Sequence, residues 1–255
     1  MKITVLGSGT AAPRLNRNMS GYLLEANNKK IMFDSGAGTI KQLLKLKINL
    51  LDIDDIFYTH LHNDHINDLP AMIWSNNYGT LRKESLNLYG PKGFKEYCNI
   101  LIKKILKPER LNYNINIKEV RNNIMIEIPI NGKNNKRITI KSIKSKHSSS
   151  SVSYRIEHNN KSIVYSGDTD YSKEIIEISK NADLLILECS FPDNRKVKGH
   201  LTPSLCGKIA TKANVKKLVL THFTPECYMV DTKKQCVNEF DGKIILAKDF
   251  MGITV

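Results

Sequence analysis

The sequence predicts an α/β protein with the layering of a four-layer αββα sandwich. Two observations carry this. Apolar strand patterns fall into two groups along the chain, each with its own helical patterns, so two sheets should pack face to face with helices outside. Residues able to bind metal or move protons also recur just past the ends of apolar runs, where loops gather into a site.

In the first group, residues 3–6, 22–25 and 30–33 read as strands. Residues 40–46 read as a helix, with apolar side chains at 40, 43, 44 and 46. Residues 55–59 form a short strand that ends at the first histidine, and 68–76 a helical stretch. A strand at 86–89 follows, then a helix near 93–106 with apolar positions close to the 3.6 period. Ile115/Ile117, Ile124/Ile126/Ile128/Ile130 and Ile138/Ile140 alternate every second residue, the mark of strands with one buried face.

In the second group, 152–156 and 162–165 make a hairpin around His158-Asn159-Asn160. Residues 171–179 read as a helix, 182–187 as a fully buried strand, and 203–213 as a helix capped by Thr202. Strands at 217–221, 243–247 and 252–255 close the chain.

A length of 255 residues suits one α/β domain over 1–255 and buries a core without disulfides. The composition, 41% hydrophobic and 25% charged, excludes a disordered chain. No apolar run approaches the ~18 residues of a membrane span. The segment Met1-Lys2-Ile3-Thr4-Val5-Leu6-Gly7 is too short for a secretory signal, so no membrane partner and a cytoplasmic location are expected. Five cysteines without a C-x-x-C pair make neither a disulfide framework nor a thiolate zinc site; reduced, mostly buried cysteines are expected. The net charge of +14 favours polyanionic partners, although an excess of Lys, Ile and Asn also arises from base composition alone. The stretch Asn131-Gly132-Lys133-Asn134-Asn135-Lys136-Arg137 reads as solvated surface.

The chemistry centres on Thr59-His60-Leu61-His62-Asn63-Asp64-His65, four potential ligands within six residues directly after a buried strand. Imidazole and carboxylate suit borderline divalent ions, zinc above all. A loop leaving a strand end can aim His60 and His62 at one ion and Asp64 and His65 at another.

This H-x-H-x-D-H pattern resembles the signature of the metallo-β-lactamase superfamily, and the resemblance runs over the whole chain. It implies the metallo-β-lactamase fold and two divalent metal ions, zinc first, with manganese or iron as alternatives. It also implies the remaining ligands: His147 completing the first site, Asp168 (in Ser166-Gly167-Asp168-Thr169) bridging both ions, and His222 completing the second. Asp34, in Phe33-Asp34-Ser35-Gly36, matches the family's early aspartate and is expected to hydrogen-bond the histidine loop; a plain turn aspartate before glycine is the alternative. Two ions ~3.5–4 Å apart share a water and lower its pKa toward ~7, so a metal-bridging hydroxide becomes the nucleophile. Asp64 is expected to orient it as well.

Gly199-His200-Leu201-Thr202-Pro203 resembles the ribonuclease Z branch, where such a histidine lies beside the scissile phosphate. His200 is therefore the expected acid, oriented by Glu188 at the end of Leu184-Leu185-Ile186-Leu187-Glu188. Leu6-Gly7-Ser8-Gly9-Thr10-Ala11-Ala12-Pro13, with Arg17-Asn18 and Ser20, is similar to the same branch. The oxygen-reducing diiron branch has glutamate where His62 stands, which disfavours that reading.

One departure matters. Ribonuclease Z carries a long tRNA-gripping arm between the third histidine and the bridging aspartate, and here that interval is 168 − 147 = 21 residues. The extra length lies earlier, so residues 66–146 are expected to contribute a cap over the cleft. Residues 133–146 carry six basic side chains and no acid, either to attract phosphate or as a solvated strand face. The expected function is a dinuclear metal-dependent phosphodiesterase acting on an RNA 3′ end, a cyclic nucleotide or a small phosphodiester. A small-molecule esterase, lactonase or thioesterase on the same fold is the alternative, and a metal-binding accessory protein the third reading. The resemblance also implies a homodimer.

Overall fold

The computed structural model describes residues 1–130 and 137–255. Six strands come first: β1 (Lys2–Gly7), β2 (Gly21–Ala26), β3 (Lys29–Ser35), β4 (Ile53–Phe57), β5 (Leu86–Gly90) and β6 (Ile115–Glu119). Seven follow: β7 (Met125–Pro129), β8 (Arg137–Lys144), β9 (Val152–His158), β10 (Lys161–Tyr165), β11 (Leu184–Glu188), β12 (Lys217–Thr221) and β13 (Lys243–Leu246). A last strand, β14 (Gly252–Thr254), returns to pair with β1. The helices are α1 (Thr39–Lys45), α2 (Asn63–Ile66), α3 (Leu69–Trp74), α4 (Phe94–Ile100), α5 (Lys173–Ser179), α6 (Pro203–Lys212) and α7 (Thr232–Val237).

The strands form two sheets, ordered β14-β1-β2-β3-β4-β5-β6 and β13-β12-β11-β10-β9-β8-β7. Each sheet is half antiparallel and half parallel. β3 to β6 run parallel in the first and β10 to β13 in the second.

Period-two alternation explains the layers. Val5, Phe33, Ile163, Tyr165, Ile186 and Val219 point into one core between the sheets. Their neighbours Leu6 and Met32 turn outward to residues of α1, α3 and α4. Val164, Leu185, Leu187, Leu218 and Leu220 likewise turn outward to residues of α5, α6 and α7. The result is the predicted αββα sandwich, and all five cysteines are buried and free within its core clusters.

Three local readings need correcting or completing. Thr202 occupies the cap position of α6 but makes no side-chain cap hydrogen bond. Asp193, from the loop after β11, accepts from the Ser204 amide at 3.0 Å instead, and so satisfies an end group that Thr202 was expected to satisfy. The histidine segment is not loop throughout, because it turns into α2 at Asn63. The expected solvated stretch 131–137 and the basic segment 133–146 fall partly outside the described residues, at 131–136.

Candidate metal centre

The parallel strands place their carboxyl ends on one side, where connecting loops converge into a crevice. Asp34 lies near the end of β3, and His60 and His62 follow β4 before α2 brings in Asp64 and His65. His147 follows β8, Asp168 follows β10, Glu188 ends β11 and His222 follows β12. α2 sits directly against the end of β3. A Cβ at Gly36 would lie 2.1 Å from the backbone oxygen of Asp64, so glycine is required there.

All seven side chains named as ligands from the sequence come together. His60, His62, His147 and Asp168 form one group and Asp64, His65 and His222 another, with the ligand atoms of each within 4.8 Å of one another. Asp168 faces both. Its Oδ2 is 3.7 Å from Nε2 of His60 and 3.8 Å from Nε2 of His147. Its Oδ1 is 3.3 Å from Nε2 of His65 and 3.4 Å from Nε2 of His222. His62 is exposed and His147 half-buried, so the first group opens to solvent, while Asp64, His65 and His222 are buried.

The hydrogen bonds behind these rings assign their free nitrogens. The Thr59 hydroxyl donates to Asp34 Oδ2 at 2.9 Å, so at 3.0 Å it can only accept from Nδ1–H of His60. His65 donates Nδ1–H to Asp34 Oδ2 at 2.8 Å, and His147 donates Nδ1–H to the Gly199 carbonyl at 3.0 Å. Each ring thereby turns Nε2 inward. His62 instead directs Nδ1 inward, 3.1 Å from Nε2 of His147. Nε2 of His65 and Nε2 of His222 lie 3.2 Å apart.

Nε2 of His60 and Oδ1 of Asp168 are buried with no hydrogen-bond partner among the described residues. Orphaned acceptors, one beside each group of a buried cluster, are costly unless a cation satisfies them. The donor set of imidazole nitrogens and carboxylate oxygens fits a borderline divalent ion.

Electrostatics agree with that fit. Burial holds the His60 imidazolium well below its usual range, with the neighbouring His65 adding repulsion. Burial likewise lowers His62, helped by His147. Burial opposes ionisation of Asp168, yet the charges of His222 and His65 hold its carboxyl well below the usual range. Asp64 is lowered too, the His222 hydrogen bond outweighing burial. Burial works against a charged His65, but Asp168 and Asp34 raise it well above its usual value. That ring sits between two carboxylates, whose charge favours a cation in their midst.

Asp34 is wholly buried and does more than one job. Besides Thr59 and His65 it accepts from the Tyr165 hydroxyl at 2.6 Å and the Thr59 amide at 2.8 Å. It adopts a left-handed backbone conformation (φ 56), which aspartate tolerates better than most residues.

His200 sits at the edge of the cluster, with Nδ1 2.9 Å from Oε1 of Glu188. Burial opposes a charged ring, but the hydrogen bond and charge of Glu188, with Asp168 further off, push it up to about 8. Glu188 is itself buried and accepts from the amides of Thr169 and Ser190, both at 3.1 Å. Asp170 pins the His200 loop, accepting from the Gly199 amide at 2.9 Å. Gly199 has φ +89, and a Cβ there would approach Nδ1 of His147 to 3.2 Å.

Sequence reasoning missed several partners. These are the Ala11 amide on Oδ2 of Asp64 at 3.0 Å, the Gly199 carbonyl on His147, the Tyr165 hydroxyl on Asp34, and Ser190 between Glu188 and His222. Ala11 and Gly199 lay in segments already singled out, but nothing there marked their backbone groups. The remaining histidine, His158, stands apart at the end of β9 and hydrogen-bonds the Arg137 carbonyl.

Comparisons with known proteins agree with this geometry. A family model described as "Anti-Pycsar protein Apyc1" matches residues 1–240. Ribonuclease Z of Methanosarcina acetivorans is 26% identical over 314 aligned positions, covering 100% of this chain and 98% of that protein. The metallo-β-lactamase fold protein YhfI of Bacillus subtilis superposes with a TM-score of 0.84 at 25% identity, over 99% of this chain and 98% of its own. The short form of human tRNase Z superposes with a TM-score of 0.79 at 25% identity, over 100% and 99%.

Proposed function

The chain belongs to the anti-Pycsar protein Apyc1 family, and from that premise we propose that it is a metal-dependent phosphodiesterase acting on a cyclic nucleotide or another small phosphodiester. The observation that carries the reading is the Glu188–His200 pair, an imidazolium held beside a two-group metal centre. His60, His62, His147 and Asp168 would hold one ion, and Asp64, His65, His222 and Asp168 the other. Zinc suits five imidazoles with two carboxylates best. Bound there, two divalent ions supply Lewis acidity toward a phosphoryl oxygen and make water acidic enough to react near neutral pH.

The protein's own groups do the rest. Asp34 and the Gly199 carbonyl hold His60, His65 and His147 in the tautomers that turn Nε2 inward. Oδ2 of Asp64 is fixed by the Ala11 amide and orients the attacking water. His200 keeps its proton near neutral pH because Glu188 faces it, and delivers that proton to the departing oxygen.

A small substrate is favoured over a long RNA because the interval from His147 to Asp168 is filled by the β9–β10 hairpin. The alignment with the archaeal ribonuclease Z runs over 314 positions against 255 residues here, so that protein carries segments this chain lacks. The net charge of +14 supports a phosphate-bearing substrate. Within 66–146, the described parts outside the sheets are proposed to cap the cleft; 131–136 lie outside the described residues. We also propose a homodimer. Trp74 at the end of α3 and Tyr78 in the helical segment Ser75–Gly79 that continues it are exposed with their rings 4.6 Å apart, Leu81 is exposed just beyond, and such a patch invites a second copy.

The test is turnover by the zinc-loaded protein of bis(p-nitrophenyl) phosphate, cyclic mononucleotides, a 3′-extended tRNA and a p-nitrophenyl ester, with Asp168→Ala as control. Diester and cyclic-nucleotide turnover lost in the control supports the proposal. Cleavage of the RNA alone would make it a processing nuclease, and turnover of the ester alone would sink the phosphodiesterase reading.

A further inference from the structure

We propose that Ser190 is a positioning residue of this centre, its hydroxyl fixing the tautomer and ring orientation of His222. The inference rests on reading the seven side chains as a metal centre.

Ser190 is buried just past the end of β11. Its Oγ lies 2.6 Å from Oε2 of Glu188, 2.9 Å from Nδ1 of His222 and 3.3 Å from Nδ1 of His200. A hydroxyl has one proton, and a carboxylate can only accept. The proton therefore goes to Glu188, and Ser190 has only lone pairs left for the imidazoles. His222 must carry hydrogen on Nδ1 to meet it, so Nε2 is the nitrogen available to a metal ion. That atom is the one facing Oδ2 of Asp64 at 3.1 Å and Oδ1 of Asp168 at 3.4 Å.

The opposite tautomer is a real competitor. An Nε2–H on His222 would donate well to Asp64 and close the second group to a cation. Removing the hydroxyl of Ser190 takes away the acceptor that disfavours it. Glu188 thus serves both halves of the centre, with Oε1 on His200 and Oε2, through Ser190, on His222.

The backbone here does not depend on the hydroxyl. The Ser190 amide donates to Glu188, and its carbonyl accepts from the Thr224 hydroxyl and, at 3.2 Å, the Cys227 thiol. Ser190→Ala should therefore fold, and Ser190→Thr should restore the acceptor.

The test is zinc binding to the full-length apo protein by chelator competition, for the wild type, Ser190→Ala, Ser190→Thr and a His222→Ala control. The wild type should take two equivalents, with the second weakened about 10–100-fold in Ser190→Ala, the usual size for a lost partner behind a ligand, and recovered in Ser190→Thr. Nitrogen-15 NMR of the zinc-loaded wild type should show His222 protonated on Nδ1 alone. A second equivalent bound by Ser190→Ala as tightly as by the wild type, or an Nε2–H on His222 in the loaded wild type, overturns the proposal. A wild type that takes no second equivalent overturns the metal-centre reading and this proposal together, so the two failures are told apart.

Discussion

Nδ1 of His200 lies 2.9 Å from Oε1 of Glu188, a buried carboxylate whose other contacts are all donors. That relationship raises His200 from 6.5 to about 8. A raised value means that the protonated ring persists at neutral pH and is lost as pH climbs through about 8. With the acid required, kcat/KM for a diester should fall above that pH. In Glu188→Gln the alkaline limb should move down toward the ordinary histidine value near 6.5. His200→Ala should lose about 10²–10⁴-fold in rate, the usual contribution of a general acid, while keeping its metal. An alkaline limb unmoved in Glu188→Gln would show that it reports some other group.

Asp168 is, among the described residues, the carboxylate that faces both histidine groups. Asp168→Ala should reduce bound zinc below two equivalents by elemental analysis and lower diester turnover on the order of 10³-fold, several kcal/mol of lost charge stabilisation. Full zinc content with full activity would contradict a bridging role.

Asp34→Ala leaves the Thr59 hydroxyl, the Tyr165 hydroxyl and His65 without their buried acceptor. At about 1–3 kcal/mol for each unsatisfied group, a loss of roughly 3 kcal/mol or more is expected, read as a lower urea midpoint. Zinc affinity should fall as well. A variant as stable as the wild type would mean that water replaces the carboxylate freely.

Metal removal should destabilise the whole chain, because the ligands come from strand ends across both sheets and an ion binds only the folded state. At 1,000 times the dissociation constant the stabilisation is about 4 kcal/mol, roughly 10 °C in Tm for a chain of this size. Calorimetry with and without a chelator measures it. An unchanged Tm would argue that the cluster holds no metal.

The cap of α6 offers a smaller test. Asp193→Ala should cost about 1 kcal/mol as a lost cap, whereas Thr202→Val should leave stability nearly unchanged, since the Thr202 side chain makes no cap bond. Reversed effects in urea unfolding would restore Thr202 as the cap.

The thiols illustrate a limit of local reading. Five scattered cysteines said only that no disulfide framework exists. The fold adds that burial pushes Cys98, Cys227 and Cys236 each to about 12, so none of these is a reactive thiolate near neutral pH.

By itself the sequence determined the layers and singled out the seven candidate ligands. A strand sends successive side chains to opposite faces, so Val5 and Leu6, or Leu184 and Leu185, must enter different cores, but in these wholly apolar runs the packed sheets decide which face enters which core. His60, His62, Asp64 and His65 were legible because they crowd into one short segment, whereas His147, Asp168 and His222 came from the resemblance to the metallo-β-lactamase superfamily, with the apolar strand before each as local support. The tertiary structure alone decided how those ligands are held. Asp34 meets Tyr165 across 131 positions, Ala11 meets Asp64 across 53, His147 meets Gly199 across 52 and Ser190 meets His222 across 32. A hydrogen bond depends on angles and tenths of an ångström between groups that only the packed sheets bring together. No local pattern encodes that geometry, and it is what leaves His60, His65 and His147 each with Nε2 free.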